Sequence, residues 1–158
     1  MKYHLITILQ KRKSDMYNFG NTSQQRLDTT HIDIQAICNE VIQYIDFSIL
    51  EGTRTLEKQQ EYFTDGKSKL DGINRKSKHQ SFPSLAVDVA PYPIDFKNQS
   101  KARARFYFLA GYFFQASQTL FDAGEITHKL RWGGNWDNDF DFEDQTFDDL
   151  PHFELVKA

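Results

Sequence analysis

The spacing of apolar residues changes several times along the chain, and each change marks an element. Ile34, Ile37, Cys38, Val41, Ile42 and Ile45 recur at three and four residues and predict an amphipathic helix over about residues 32–45, with Thr30 and Asp33 as a weakened capping box. Phe47-Ser48-Ile49-Leu50-Glu51 predicts a strand running into the turn Gly52-Thr53-Arg54-Thr55. Thr55 is a good N-cap for a short helix from Leu56 to Thr64 that stops near Gly66. Residues 67–78 are charged and aperiodic, as in a surface loop, and Leu85 to Ala90 is an apolar run with one carboxylate, Asp88, which predicts a buried strand. From Lys101 to about Phe121 apolar and aromatic side chains cover so broad a sector that a central helix buried on more than one side is expected, closed by Gly124. Lys129 to Trp132 predicts a strand ending at Gly133-Gly134. The alternation from His152 to Val156 predicts a last one, with Pro151 at its first position, where a missing N–H breaks no ladder. Ser23 to Thr30 is polar and loop-like, and residues 1–22 are expected to form an N-terminal arm or edge strand. This order predicts an α+β fold, a small and mainly antiparallel sheet with packed helices, as one domain over residues 23–158.

Composition narrows the functional classes. At 158 residues the chain can bury roughly two thirds of the surface its unfolded form exposes, so it needs no staples. Cys38 is the only cysteine, which excludes an intrachain disulfide, and its apolar helical setting makes it a core residue rather than a nucleophile. A net charge of -3 argues against a nucleic-acid partner held through its phosphates. The apolar run Leu5 to Leu9 is shorter than the ~7–15 residues of a signal-peptide core. No window approaches the ~20 apolar residues of a membrane span. A soluble, monomeric protein without a signal peptide is expected.

The candidate chemistry centres on Asp149-Leu150-Pro151-His152-Phe153-Glu154. His152 and Glu154 share a strand face, and Pro151 biases Leu150 toward an extended conformation that lets Asp149 lie beside the imidazole. An ionisable group inside an apolar run is costly unless paired or metal-bound, which draws attention to Asp88. Catalytic zinc takes three protein ligands and keeps a fourth position open. His79, Asp88 and His152 supply that count, Asp149 is the candidate general base and acid, and Arg54 could make a forked contact with a substrate carboxylate. Asp88 as a buried ion-pair partner, Asp149 as an ordinary loop carboxylate and Arg54 as a bridge to a structural acid are the competing readings. Glu154 could orient a ligand from behind. His4, His31 and His128 lack a matching partner set and read as structural or surface residues. Trp132 reads as core, whereas Trp136, after two glycines, could line a cleft. The acidic stretch Asp137, Asp139, Asp141, Glu143 and Asp144 invites calcium, but Phe142 stands where an EF-hand loop needs glycine, which favours a solvated loop.

Four motifs together carry a resemblance: Ser77-x-His79 with Ala86-Val87-Asp88, Glu51-Gly52-x-Arg54-Thr55 with Gln59, Arg131-Trp132-Gly133-Gly134-x-Trp136, and Asp149-x-Pro151-His152-Phe153-Glu154. From about Ser23 to Leu155 the chain resembles the zinc peptidases that cut cell-wall peptides, a family of D-alanyl-D-alanine carboxypeptidases, vancomycin-resistance dipeptidases and phage L-alanyl-D-glutamate endopeptidases. The Trp-Gly-Gly-x-Trp and Asp-x-Pro-His-Phe-Glu segments are most similar to the phage endolysin branch, while the loop after His79 is longer than the family's compact Ser-x-His-x-x-Gly-x-Ala-x-Asp pattern. The resemblance implies Zn2+ on His79, Asp88 and His152, an acid/base at Asp149, and substrate contacts from Arg54 and Ser77. The implied substrate is the peptidoglycan stem peptide, cut by an endolysin made in the host cytoplasm that reaches the wall after a membrane breach. A D,D-carboxypeptidase and a non-catalytic wall-binding domain of the same fold are the alternatives.

Overall fold

The structure, a computed structural model, describes residues 17–93, 97–139, 141, 142, 144 and 146–158. Its elements in chain order are α1 (Asn21–Leu27), α2 (Ile32–Val41), β1 (Phe47–Glu51), α3 (Leu56–Thr64), a 3-10 turn (Lys78–Gln80), β2 (Ala86–Pro91), α4 (Gln99–Asp122), β3 (His128–Gly133) and β4 (Asp149–Lys157). The strands form one sheet in the order β1-β2-β4-β3, every ladder antiparallel, so the last strand of the chain lies inside the sheet. The expected α+β architecture is what the chain adopts.

Strand alternation separates the core from the site. Val87 and Val89 on β2 and Phe153 and Leu155 on β4 are buried on one face, which α2 and α4 cover with Ile34, Ile37, Cys38, Val41, Phe106, Leu109 and Phe113. Phe113 stacks on Phe153 with ring centroids 4.4 Å apart. Each such buried aromatic removes enough apolar surface from water to contribute about 1.5–3 kcal/mol. The intervening residues Asp88, His152 and Glu154 are thereby turned to the opposite face.

Several expectations are corrected. The N-cap of α2 is His31, whose Nδ1 accepts from the Asp33 N–H at 3.1 Å, while the Thr30 hydroxyl donates back to the Leu27 carbonyl at 2.7 Å. The helix ends at Val41, and Ile42 and Ile45 reach the core from the following turn. α4 is one-sided: Phe108 is 63% exposed, because its neighbours Phe106, Leu109 and Phe113 already fill the single buried stripe. Asn21 to Leu27 is helical, although loop is expected for Ser23 to Thr30 and an arm for residues up to 22; its one buried side chain, Leu27, is helped by Arg26, which donates to the Ile49 carbonyl, and Ser23, which accepts from the Ile49 N–H. The boundary expected at residue 22 therefore falls inside a helix docked on β1, and residues 1–16, including His4, lie outside the described residues.

The start of β4 also differs. Trp132 pairs with Phe153 but Gly133 pairs with Asp149, so Leu150, Pro151 and His152 bulge against β3. Pro151 sits inside the strand rather than first in it. Its missing N–H costs nothing there, because pairing with β2 stops at His152.

Candidate metal centre

Three segments deliver the site. Asp88 and His152 are directly opposite one another in the β2–β4 ladder, so their side chains emerge side by side. His79 arrives from the 3-10 turn, which Ser77 caps: its hydroxyl accepts from the His79 N–H at 3.3 Å, and the Gln80 side chain accepts from the Ser77 N–H at 2.9 Å. The His79 carbonyl in turn accepts from the Arg54 N–H at 2.8 Å, tying the turn to the segment after β1.

The three donor atoms form a nearly equilateral triangle. His79 Nε2 is 3.1 Å from Asp88 Oδ1 and 3.2 Å from His152 Nδ1, and His152 Nδ1 is 3.0 Å from Asp88 Oδ1. A tetrahedral ion with bonds of about 2.1 Å needs ligand atoms roughly 3.4 Å apart, so a slight opening of this triangle accommodates one. The outer partners decide where the protons are. His79 Nδ1 lies 2.6 Å from the Gly52 carbonyl and His152 Nε2 lies 3.1 Å from Glu154 Oε2, and both partners only accept. Each neutral imidazole must carry its hydrogen on that outer nitrogen, leaving lone pairs at His79 Nε2 and His152 Nδ1 directed at the Asp88 oxygen. Three acceptors facing one another repel unless a cation or an added proton joins them.

The charges follow. Burial would raise the Asp88 carboxyl, but hydrogen bonds with His152 and His79 outweigh it and hold the group far below its ordinary value. Burial would lower the His152 imidazole, yet the Asp88 and Glu154 carboxylates push it up to about 9. Glu154, against burial, is brought down to about 2 by hydrogen bonds with His152 and Arg131, whose Nε donates to it at 3.0 Å. Asp149 moves the other way: burial and the negative charge of Asp88 raise it.

All seven residues nominated from sequence, His79, Asp88, His152, Asp149, Arg54, Ser77 and Trp136, line one cleft of about 490 Å³. Trp136 forms its wall, with its ring centroid 5.5 Å from that of His152 and its indole N–H donating to the Phe147 carbonyl at 2.8 Å. Arg54 is committed within the protein. Its guanidinium forks onto Glu51, donates to Gln59 Oε1 at 2.9 Å and reaches Asp88 Oδ2 at 3.3 Å. The competing reading of Arg54 as a bridge to a structural acid describes these contacts; that Glu51 is the acid and Gln59 a further acceptor was not anticipated, although the Glu51-x-x-Arg54 spacing and Gln59 were the visible signal. Tyr62 was also missed; it lines the cleft with its ring 4.7 Å from the Arg54 guanidinium carbon.

A second group does gather around His31 and His128, contrary to expectation, because Asp33 turns inward between them. Its atoms are largely spent in local bonds: one Asp33 oxygen accepts from the Thr127 and His128 N–H groups and from His128 Nδ1, and His31 Nδ1 already accepts from Asp33. That group clasps α2 to β3. Asp137, Asp139 and Asp144 form a third, fully exposed group.

Fold and site define the class first: an α+β enzyme domain whose sheet presents a three-donor, cation-ready pocket and a carboxylate of raised pKa in one open cleft. Residues 16–156 match the family described as phage L-alanyl-D-glutamate peptidase, and the chain belongs to that family. It is 30% identical over 146 residues to the L-alanyl-D-glutamate peptidase of Escherichia phage T5, covering 89% of this chain and 98% of that one. Its fold is similar to the crystal structure of an L-Ala D-Glu endopeptidase from Serratia marcescens, with a TM-score of 0.65 and 24% identity over 90% of this chain and 92% of the other. Among the described residues, no helix is long and apolar enough to cross a membrane.

Proposed function

We propose that this protein is a zinc peptidase that hydrolyses the L-alanyl-D-glutamate bond of the peptidoglycan stem peptide, with His79, Asp88 and His152 as ligands and Asp149 as the proton-transferring group. The observation that carries this reading is the convergence of His79 Nε2, Asp88 Oδ1 and His152 Nδ1 within 3.2 Å of one another, with the Gly52 carbonyl and Glu154 holding the outer imidazole nitrogens. Two imidazoles and one carboxylate suit zinc better than calcium or magnesium, which prefer all-oxygen sites. Bound there, zinc supplies a Lewis acid for the scissile carbonyl and eases loss of a proton from water.

The chain's own residues do the rest. Asp149 takes a proton from water as the new C–O bond forms at the alanine carbonyl. It returns that proton to the glutamate nitrogen as the C–N bond breaks, a task its raised pKa favours. Arg54 engages Asp88 Oδ2, leaving Oδ1 to face the histidines. Trp136 and Phe147 wall the cleft beside His152.

The test is mass spectrometry of fragments released from purified peptidoglycan with and without a chelator. New N-terminal D-glutamate that disappears with chelation supports the reading. Free D-alanine would mark a carboxypeptidase instead, and wall binding without any release would leave only a binding domain.

A further inference from the structure

The cleft has a second lobe, and the two lobes differ in charge. The lobe holding the donor triangle is lined by seven cationic side chains. Arg54 is paired with Glu51, Arg131 with Glu154 and Lys67 with Asp65. Lys69, Arg75, Lys76 and Lys78 have no carboxylate partner among the described residues, and Lys69 is held at the cleft by the Phe147 ring, 4.8 Å from its Nζ. The other lobe, about 610 Å³, meets the first at Tyr62, Asp88 and Asp149 and is lined by Thr22, Gln25, Thr29 and Thr53 together with one carboxylate of its own, Glu51, which Arg54 holds. Its one cation, Arg26, donates to the Ile49 carbonyl. The chain as a whole carries -3, so four cations beside the site with no carboxylate partner among the described residues do not reflect a generally basic surface.

The bond between alanine and glutamate is equally lopsided. Glutamate supplies the amide nitrogen and carries two carboxyl groups; one continues the peptide and the other remains a free anion, whereas the alanine side of the bond is neutral. We propose that Lys69, Arg75, Lys76 and Lys78 form the subsite for the glutamate half of the substrate, binding its free carboxylate, while the alanine half, which brings no charge, occupies the lobe lined by Thr22, Thr29, Thr53 and Glu51, where a free carboxylate would be repelled. The peptide thus runs from the Thr22–Thr53 lobe, across Asp149, into the lysine loop. This deepens the proposed function and rests on it. It also moves carboxylate recognition from Arg54, whose fork is filled by Glu51, to the four cations without a carboxylate partner among the described residues. A charge-assisted hydrogen bond of this kind is worth roughly a ten- to hundred-fold preference.

The experiment compares two synthetic peptides containing the L-alanyl-D-glutamate bond, one with the free carboxylate of glutamate and one with that group amidated. Both are cleaved by the wild-type protein, K76Q/K78Q and K69Q/R75Q. The subsite predicts that the wild type prefers the acidic peptide roughly ten- to hundred-fold in kcat/KM. It also predicts that the charge-neutral variants lose that preference through a higher KM on the acidic peptide alone. Equal losses on both peptides, or a preference that survives in the variants, would overturn it. Should the wild type cleave neither peptide, the proposed activity fails separately. The subsite is then judged by binding of the two peptides, followed by Trp136 fluorescence, with the same preference and the same variants deciding. Inorganic phosphate binding that the variants abolish while leaving the carboxylate preference intact would mark a phosphate-polymer surface and would equally overturn the proposal.

Discussion

At the scale of single residues, the account turns on protons. With the His152 imidazole pushed up to about 9, loading a metal at pH 7 should release about one proton. Calorimetry in buffers of different ionisation enthalpy measures this directly; affinity should rise with pH toward 9 and then level, and a pH-independent affinity would contradict it. The sign for folding is fixed too. A folded value raised from 6.5 to about 9 gives the metal-free protein stability that is fully present below pH 6.5 and lost as pH rises through about 9. Replacing Glu154 by Gln removes the charge behind His152 and should cost roughly 10–100-fold in metal affinity, read by competition with a chromophoric chelator. Asp149→Asn should instead lower kcat about 10²–10⁴-fold while leaving metal affinity within a few-fold, which separates proton transfer from metal binding.

At the scale of elements, the site depends on how β1, β2 and β4 are joined. Gly52, just after β1, presents the carbonyl that orients His79, and a Cβ added there would collide with the Thr29 hydroxyl and the Arg26 carbonyl. Gly52→Ala should therefore lower thermal stability and metal affinity together; an unchanged melting temperature would show that α1 yields easily. What the sequence revealed at this level followed periodicity. β2 was legible because Asp88 interrupts an otherwise apolar strand, and the register that pairs it with His152 is a consequence of two alternating strands meeting. α1 was hidden, since one apolar residue, Leu27, sets no period and its hold on β1 is made by Arg26 and Ser23. The breadth of α4 misled for the opposite reason: aromatic residues at Phe108 and Tyr112 widen the apolar sector without being buried like Phe113. The bulge over Leu150 to His152 has no sequence period either, yet it changes the parity that would otherwise put Asp149 on the face away from His152.

At the scale of the whole molecule, one sheet keeps stability and chemistry on opposite faces. The α2 and α4 side holds the aromatic stack, so Phe113→Ala should cost about 3–5 kcal/mol of unfolding free energy, measured by denaturant titration, with metal affinity in the folded protein little changed. Coupled loss of both would mean the sheet transmits strain to the site. The proposed ligand set could be nominated from the sequence because three chemically apt residues stood in recognisable motifs, and the structure brings those three together. That Arg54 could bridge to a structural acid was an open alternative, but its partner was not legible, since which acid fills a guanidinium fork depends on contacts between β1, β2 and the turn that joins β1 to α3. The central claim is that one ion joins three side chains, and anomalous diffraction at the zinc edge from crystals of the metal-loaded protein tests it most directly. The account predicts one peak about 2.0–2.2 Å from His79 Nε2, Asp88 Oδ1 and His152 Nδ1. A peak confined to the His31, Asp33 and His128 group, or none between the two imidazoles of His79 and His152, would contradict it.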